Sequence, residues 1–190
     1  MPTAIFIKSA AKPADFPADT GREVAFVGRS NSGKSTAVNA LTGARKLARV
    51  SKTPGRTQLL NFFSLGEDRR LVDLPGYGFA RVTPETQARW QHALEAYLGA
   101  RASLVGLVVT MDIRRGVTEL DARLLRWLQP RELPLAVLLT KADKLTRSEG
   151  LLQERRVAAE LGPAASVVRF SAPTGEGVTD ALRWLNGRLE

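Results

Sequence analysis

Residues 28–35 read Gly28-Arg29-Ser30-Asn31-Ser32-Gly33-Lys34-Ser35, a complete match to the pattern GxxxxGK[ST]. No other feature narrows the fold so far, because this loop works only at one kind of junction. A buried strand must enter it and a helix must leave it. Both flanks are present: Val24-Ala25-Phe26-Val27 is an apolar run of strand length, and Thr36-Ala37-Val38-Asn39-Ala40-Leu41 continues as a helix. The glycines let the backbone curl around an anion with its N–H groups turned inward, and the helix N-terminus adds positive potential. Gly28 through Ser35 are therefore expected to cradle the phosphates of a nucleoside triphosphate. Lys34 would reach the β- and γ-phosphates and Ser35 would hold Mg²⁺. The alternative, a chance Gly/Ser turn, leaves the two flanks unexplained.

Three further segments bear on which nucleotide. Asp73-Leu74-Pro75-Gly76 follows Leu71-Val72 and matches DxxG, with Asp73 expected on Mg²⁺ through water and the Gly76 amide near the γ-phosphate. Thr140-Lys141-Ala142-Asp143 follows the apolar run 135–139 and is similar to the [NT]KxD base-recognition motif. A carboxylate there accepts from guanine N1–H and the 2-amino group, and adenine would leave it unpaired. Ser171-Ala172-Pro173, after 167–170, is similar to the loop whose amide meets guanine O6. Singly, TKAD or SAP is an ordinary turn. In this order, each after a predicted strand, they imply guanine nucleotide at the carboxyl edge of a doubly wound sheet.

Strand and helix patterns alternate throughout. Strands are predicted at 23–27, 59–65, 69–74, 104–111, 135–139 and 167–170. The three-residue turn Gly66-Glu67-Asp68 forces the second and third into an antiparallel hairpin. Helices are predicted at 34–42, 84–98 (Thr83 as N-cap), 118–128 (a Thr118/Asp121 capping box), near 148–161 and in the last stretch, where Val178, Leu182, Leu185 and Leu189 form one stripe. Trp90, Leu94, Tyr97 and Leu98 are expected on the sheet, Trp127 and Trp184 in helix–sheet packing, and His92 at or near the surface. The fold class is α/β: six mostly parallel strands with one antiparallel edge strand and helices on both faces. Residues 1–22, with a Pro/Ala-rich stretch at 9–22, are expected as an arm packing on a single domain at 23–190.

Composition sets bounds on the function. The chain of 190 residues has 28 Lys+Arg against 19 Asp+Glu, a net charge of +9, and no cysteine. Disulfides, thiolate metal sites and cysteine nucleophiles are excluded, and a cytoplasmic location is expected. No apolar run reaches membrane-span length, and the N-terminus lacks the pattern of a signal peptide. The positive charge favours a polyanionic partner such as RNA or a ribonucleoprotein.

The chain resembles one family along its whole length. Gly28–Ser35, then Lys52-Thr53-Pro54-Gly55-Arg56-Thr57-Gln58 leading into Leu60-Asn61-Phe62-Phe63, then Asp73-Leu74-Pro75-Gly76-Tyr77-Gly78-Phe79-Ala80 look like the EngB-type (YihA/YsxC) GTPases of the Era-like group. The resemblance implies a Ras-like P-loop GTPase domain, slow Mg²⁺-dependent GTP hydrolysis, and work on the large ribosomal subunit or an assembly intermediate. It also implies a need for the protein in normal septation and cell division.

Carried onto this chain, Gly55, Arg56, Thr57, Gln58 and Leu59 form the first switch, with Thr57 the second protein ligand of Mg²⁺ and Thr53 its rival. Asp73, Leu74, Pro75 and Gly76 open the second switch. Thr140, Lys141, Ala142 and Asp143 hold guanine, and Ser171, Ala172 and Pro173 close over it. Lys34, Thr57 and Asn31 are the candidate catalytic residues.

Two positions depart from the general GTPase pattern. Thr140 replaces Asn and lacks the amide that bridges base and phosphate loop. Tyr77 stands where Ras-like enzymes carry a water-orienting Gln. Asn31 occupies the position where Era-like relatives hold potassium, which makes K⁺ a second candidate ion, the alternative being a loop-shaping role. The protein is expected to be a monomer that contacts RNA through the domain itself. Arg45, Lys46, Arg49, Lys52 and Arg56 beside the first switch are the first candidates for that contact, and Arg114-Arg115 or the last helix the second. An rRNA-binding module with incidental hydrolysis is the competing function. A small-molecule kinase shares only the phosphate loop.

Overall fold

Alternation of apolar strands with amphipathic helices builds a sheet covered on both sides, and the computed structural model of the protein has that form. It describes residues 3–44, 47, 59–77 and 84–190, with the side chains of 84–91 excepted. The strands are β1 (Ile5–Ala10), β2 (Arg22–Gly28), β3 (Leu60–Ser64), β4 (Arg69–Asp73), β5 (Leu104–Asp112), β6 (Leu135–Thr140) and β7 (Ala165–Arg169). The α-helices are α1 (Lys34–Thr42), α2 (Pro84–Ala100), α3 (Glu119–Leu128), α4 (Arg147–Leu161) and α5 (Val178–Leu189). In space the strands run β1-β3-β4-β2-β5-β6-β7. Only β3 opposes the others, pairing antiparallel with both β1 and β4.

Among the described residues seven strands stand in place of the expected six, because Ile5–Ala10 adds one outside the hairpin. Its sequence carries no period-2 signal, and five of its six residues are exposed. Pairing to β3, together with the edge-to-face contact of Phe6 on Phe63 (centroids 5.8 Å), holds it there instead of a buried face. A register shift between Phe6 and Lys8 bulges this edge strand, and Lys8 charges it, two devices that discourage further strand addition.

Two cores fill the faces. On one, Val27, Phe62, Leu74, Leu107 and Val109 meet Leu94, Tyr97 and Leu98 of α2, Leu128 of α3 and Val157 of α4. On the other, Val24, Phe26, Val108 and Leu138 meet Val38 and Leu41 of α1 and Ala181, Leu185 and Leu189 of α5. Trp184 packs over Gly106, where a Cβ would lie 2.9 Å from the ring. Trp127 departs from expectation: it is 43% exposed, since α3 turns Leu124 and Leu128 inward and leaves Leu120 and Trp127 outward. His92 is exposed. Trp90, Thr83 and residues 55–58 of the first switch lie outside the described residues or side chains.

One buried polar cluster ties residues 17–20 to the sheet. Glu23, fully buried on β2, accepts from Arg70 Nε (2.7 Å), Arg101 Nε and Nη2 (2.8 and 2.7 Å) and the Tyr97 hydroxyl (2.8 Å). Arg101 donates onward to the Pro17 carbonyl (3.0 Å), and Arg70 to that of Thr20. Burial works to raise the Glu23 pKa, but the hydrogen bonds of Arg101, Tyr97 and Arg70 hold it below its ordinary value of 4.5. The stability it contributes is thus complete above that ordinary value and is lost as pH falls through the lower folded one. Glu23→Gln would leave the buried guanidinium of Arg70 without a counter-charge and Arg101 with only the part-exposed Asp19, 3.8 Å away. It is expected to cost about 3 kcal/mol or more, a fall in Tm of roughly 6–12 °C. A melting curve within about 2 °C of wild type would mean that water, not Glu23, satisfies the arginines.

Candidate functional site

Because β2, β4, β5, β6 and β7 run parallel, their carboxyl ends share one edge, and the four sequence segments meet there. The loop 28–33 leaves β2 and enters α1. Gly28 permits a close approach that no side chain could, since a Cβ would fall 2.1 Å from Thr110 Oγ1. Gly33 takes φ +87° at the N-cap of α1, in the left-handed region that suits glycine. The Ser32 and Thr110 hydroxyls lie 2.7 Å apart beneath the loop.

The second-switch segment is pinned to this loop through its backbone. Ser30 N–H donates to the Tyr77 carbonyl (2.9 Å) and Tyr77 N–H to the Gly28 carbonyl (3.2 Å). Asp73, at the end of β4, forms a buried ion pair with Lys34. A hydroxyl and a carboxylate, Ser35 and Asp73, thus flank the first turn of α1, where amide dipoles converge.

The TKAD segment is fixed from three sides. The Thr140 hydroxyl donates to the Ser32 carbonyl and lies 3.0 Å from that of Met111. Lys141, at φ +59°, places Nζ 2.9 Å from the Asn31 carbonyl and 2.9 Å from Asp112 Oδ2. Asn31 is itself left-handed at φ +64°, so two non-glycine residues in a disfavoured conformation hold one another across the site. Ser171 Oγ donates to Asp143 Oδ1 at 2.8 Å, and Lys144 Nζ stands 3.0 Å from Oδ2. Lys144 and Ser171 hold the Asp143 carboxyl below the usual range, so it is an ionised acceptor at neutral pH. A cleft of about 170 Å³, lined by Gly33, Thr36, Lys141, Asp143, Ala172 and Pro173 among others, opens beside it.

The structure therefore brings together Gly28–Ser35, Asp73–Gly76, Thr140–Asp143 and Ser171–Pro173. Gly55, Arg56, Thr57, Gln58, the rival Thr53 and the five basic loop residues lie outside the described residues, while Leu59 stands 38% exposed just before β3. One expectation is corrected: Thr140 does bridge to the phosphate loop, by its hydroxyl rather than by an amide.

Tyr77 is buried beside the phosphate loop, and its phenol donates to the buried carboxylate of Asp121 on α3. Burial, and then Asp121, raise its pKa far above the ordinary phenol value, so it stays protonated. Sequence reasoning missed the supporting carboxylates Asp112 and Asp121. Asp112 had a signal, since it ends an otherwise apolar strand at the edge where the motifs gather. Asp121 was visible only as a helix cap.

Comparison with known proteins agrees with this geometry. A model of the family described as 50S ribosome-binding GTPase matches residues 23–141. Among solved structures, a probable GTP-binding protein EngB superposes with a TM-score of 0.70 at 22% identity, covering 88% of this chain and 98% of that one. Era in complex with MgGDPNP and nucleotides 1506–1542 of 16S ribosomal RNA gives 0.70 at 20% identity, covering 89% of this chain and 57% of that one. Era of Aquifex aeolicus bound to GDP and AlF4⁻ gives 0.67, also at 20% identity, covering 88% and 56%.

Proposed function

We propose, from the premise that this chain belongs to the 50S ribosome-binding GTPase family, that it is an EngB-type GTP-hydrolysing switch acting on the large ribosomal subunit during its assembly. The carrying observation is the convergence at one sheet edge of a phosphate loop, a DxxG segment joined to it by Lys34–Asp73, and an Asp143 carboxylate steadied by Ser171. The RNA named for the Era complex supports a ribosomal role by analogy, and the net charge of +9 fits a polyanionic partner. Among the described residues no helix is long and apolar enough to cross a membrane. The proposal of a cytoplasmic monomer rests on the family resemblance. The requirement in septation and cell division rests on the family resemblance.

In this reading the backbone of 28–33 and Lys34 bind the phosphates, Thr140–Asp143 and Ser171–Pro173 bind guanine, and Leu74–Gly76 respond to the γ-phosphate. The donor set fits magnesium. Ser35 and Asp73 offer hard oxygens, with no cluster of three His, Cys, Asp or Glu residues among those described. Magnesium commonly takes one or two protein oxygens and completes its shell with phosphate and water. When bound it neutralises charge on the β- and γ-phosphates. Thr57 is the proposed second protein ligand.

With Tyr77 committed to Asp121, the water-orienting role at that position goes unfilled, so intrinsic hydrolysis is slow. A monovalent cation held with Asn31 would supply positive charge instead. Turnover is expected to be several-fold faster in KCl than in NaCl at equal ionic strength, and Asn31→Ala to narrow the gap. Equal rates in both salts would assign the missing group to a partner.

The test of the ribosomal reading is co-sedimentation with 50S particles in GDP or a non-hydrolysable GTP analogue across a salt series. Binding is expected to be stronger with the analogue and to weaken steeply with salt. Binding indifferent to nucleotide would favour an RNA-binding module with incidental hydrolysis. Absence from the particles would overturn the ribosomal role and leave the nucleotide site standing.

A further inference from the structure

A second cleft, of about 210 Å³, lies between residues 29–32 of the phosphate loop, the segment after β5 and the start of α3. Its lining includes four cations, Arg29, Arg114, Arg115 and Lys141, against two carboxylates, Asp112 and Asp121. Both carboxylates are already engaged. Asp112 accepts from Arg114 (2.6 Å) and Lys141 (2.9 Å), and Asp121 from Tyr77 and the Thr118 hydroxyl (2.6 Å). The guanidinium groups of Arg29 and Arg115 pair with no described residue. Arg29 is half-buried and Arg115 exposed at the mouth. The cleft thus keeps an excess of two positive charges, with planar fork donors at its wall and rim.

We infer that this cleft is a binding site for a phosphodiester of RNA. A guanidinium donates two parallel hydrogen bonds to phosphate oxygens, and two such groups around one hollow fit an anionic tetrahedron better than any neutral ligand. The exposed rim of Arg114 and Arg115 favours a phosphate presented by a chain over a free anion, since the chain's neighbouring phosphates also feel the protein's net charge of +9. The site has a built-in link to the nucleotide. Asp121 lines it and also holds Tyr77, the residue that follows DLPG, while Ser30 and Asn31 line it from the phosphate loop itself. The inference rests on the ribosomal reading above and names the part of the surface that meets RNA.

Fluorescence anisotropy with a fluorescein-labelled RNA hairpin over a NaCl series tests it, using protein loaded with a non-hydrolysable GTP analogue. Arg115→Glu is expected to weaken hairpin binding about tenfold or more and to reduce the salt slope by about one, with GDP affinity unchanged. Arg156→Glu makes the same charge change on the exposed face of α4 and should cost less than about threefold. Equal losses in the two variants would reduce the effect to overall charge and overturn the site. So would Arg115→Glu binding as wild type does. Tighter binding of polyglutamate than of the hairpin, lost in Arg115→Glu, would overturn the RNA assignment in favour of an acidic protein. A wild type that binds the GTP analogue but no hairpin would overturn the ribosomal reading along with this one, whereas an unaffected Arg115→Glu sinks the cleft alone.

Discussion

Lys34→Ala is expected to lower affinity for GDP and GTP by about 100-fold or more, and also to destabilise the protein. The first effect follows from the loop: a charge-assisted bond to phosphate contributes about 1.5–3 kcal/mol, and Lys34 is proposed to make more than one. The second follows from the structure and contradicts a reading of Lys34 as purely a ligand-binding charge. Lys34 is 9% exposed and paired with Asp73, itself 2% exposed, so truncation leaves a carboxylate stranded in the interior. Breaking one side of a buried pair typically costs 3–5 kcal/mol.

The two effects can be separated. Adding Asp73→Asn to Lys34→Ala removes the stranded charge. It should restore most of the melting temperature while leaving nucleotide affinity as poor as in the single variant. Titration with a fluorescent GDP analogue and thermal melts of the two variants decide the matter. A Lys34→Ala protein that bound GDP tightly would remove the phosphate-loop assignment.

What the sequence disclosed and what it hid divide along a physical line. The motif segments, their order and their position after strands were legible because each is a local pattern. The phosphate loop is eight consecutive residues, and the Thr118/Asp121 cap that starts α3 spans four. The similar Thr146/Glu149 box at the start of α4 was equally local, though the predicted start near 148 passed over it. The contacts that shape the site join residues far apart in the chain. Tyr77 meets Asp121 across 44 positions and Thr140 meets Ser32 across 108, and no period or propensity encodes either. β1 escaped notice for a related reason. An exposed edge strand earns its place through hydrogen bonds to β3, so its own residues need not alternate. Trp127 shows the converse error: an aromatic on a helix reads as core, yet α3 has enough Leu to fill its inner face without it.

Asp143→Asn is expected to change which nucleotide is bound rather than whether one is. The Asp143 carboxylate is pre-oriented by Ser171 Oγ at 2.8 Å and kept ionised by Lys144 and Ser171, so it enters the complex as a fixed double acceptor. Guanine offers two donors on one edge, N1–H and the 2-amino group. Replacing one carboxylate oxygen by NH₂ turns one of those bonds into a clash of donors, and it removes the charge from the other. At about 1.5–3 kcal/mol for each charge-assisted bond, GTP affinity should fall about 100-fold or more. Xanthine carries a carbonyl where guanine carries the amine. The new amide then donates to that oxygen while its own carbonyl accepts from N1–H, so XTP should bind Asp143→Asn more tightly than GTP does. Ser171 and Thr140 remain in place, since Ser171 can donate to the amide oxygen as it does to the carboxylate, and the fold should melt within a few degrees of wild type. Competition of GTP, XTP and ATP against a fluorescent GDP analogue reads the order directly. Unchanged GTP preference in Asp143→Asn would mean that the base lies elsewhere than in the cleft beside Asp143, Ala172 and Pro173.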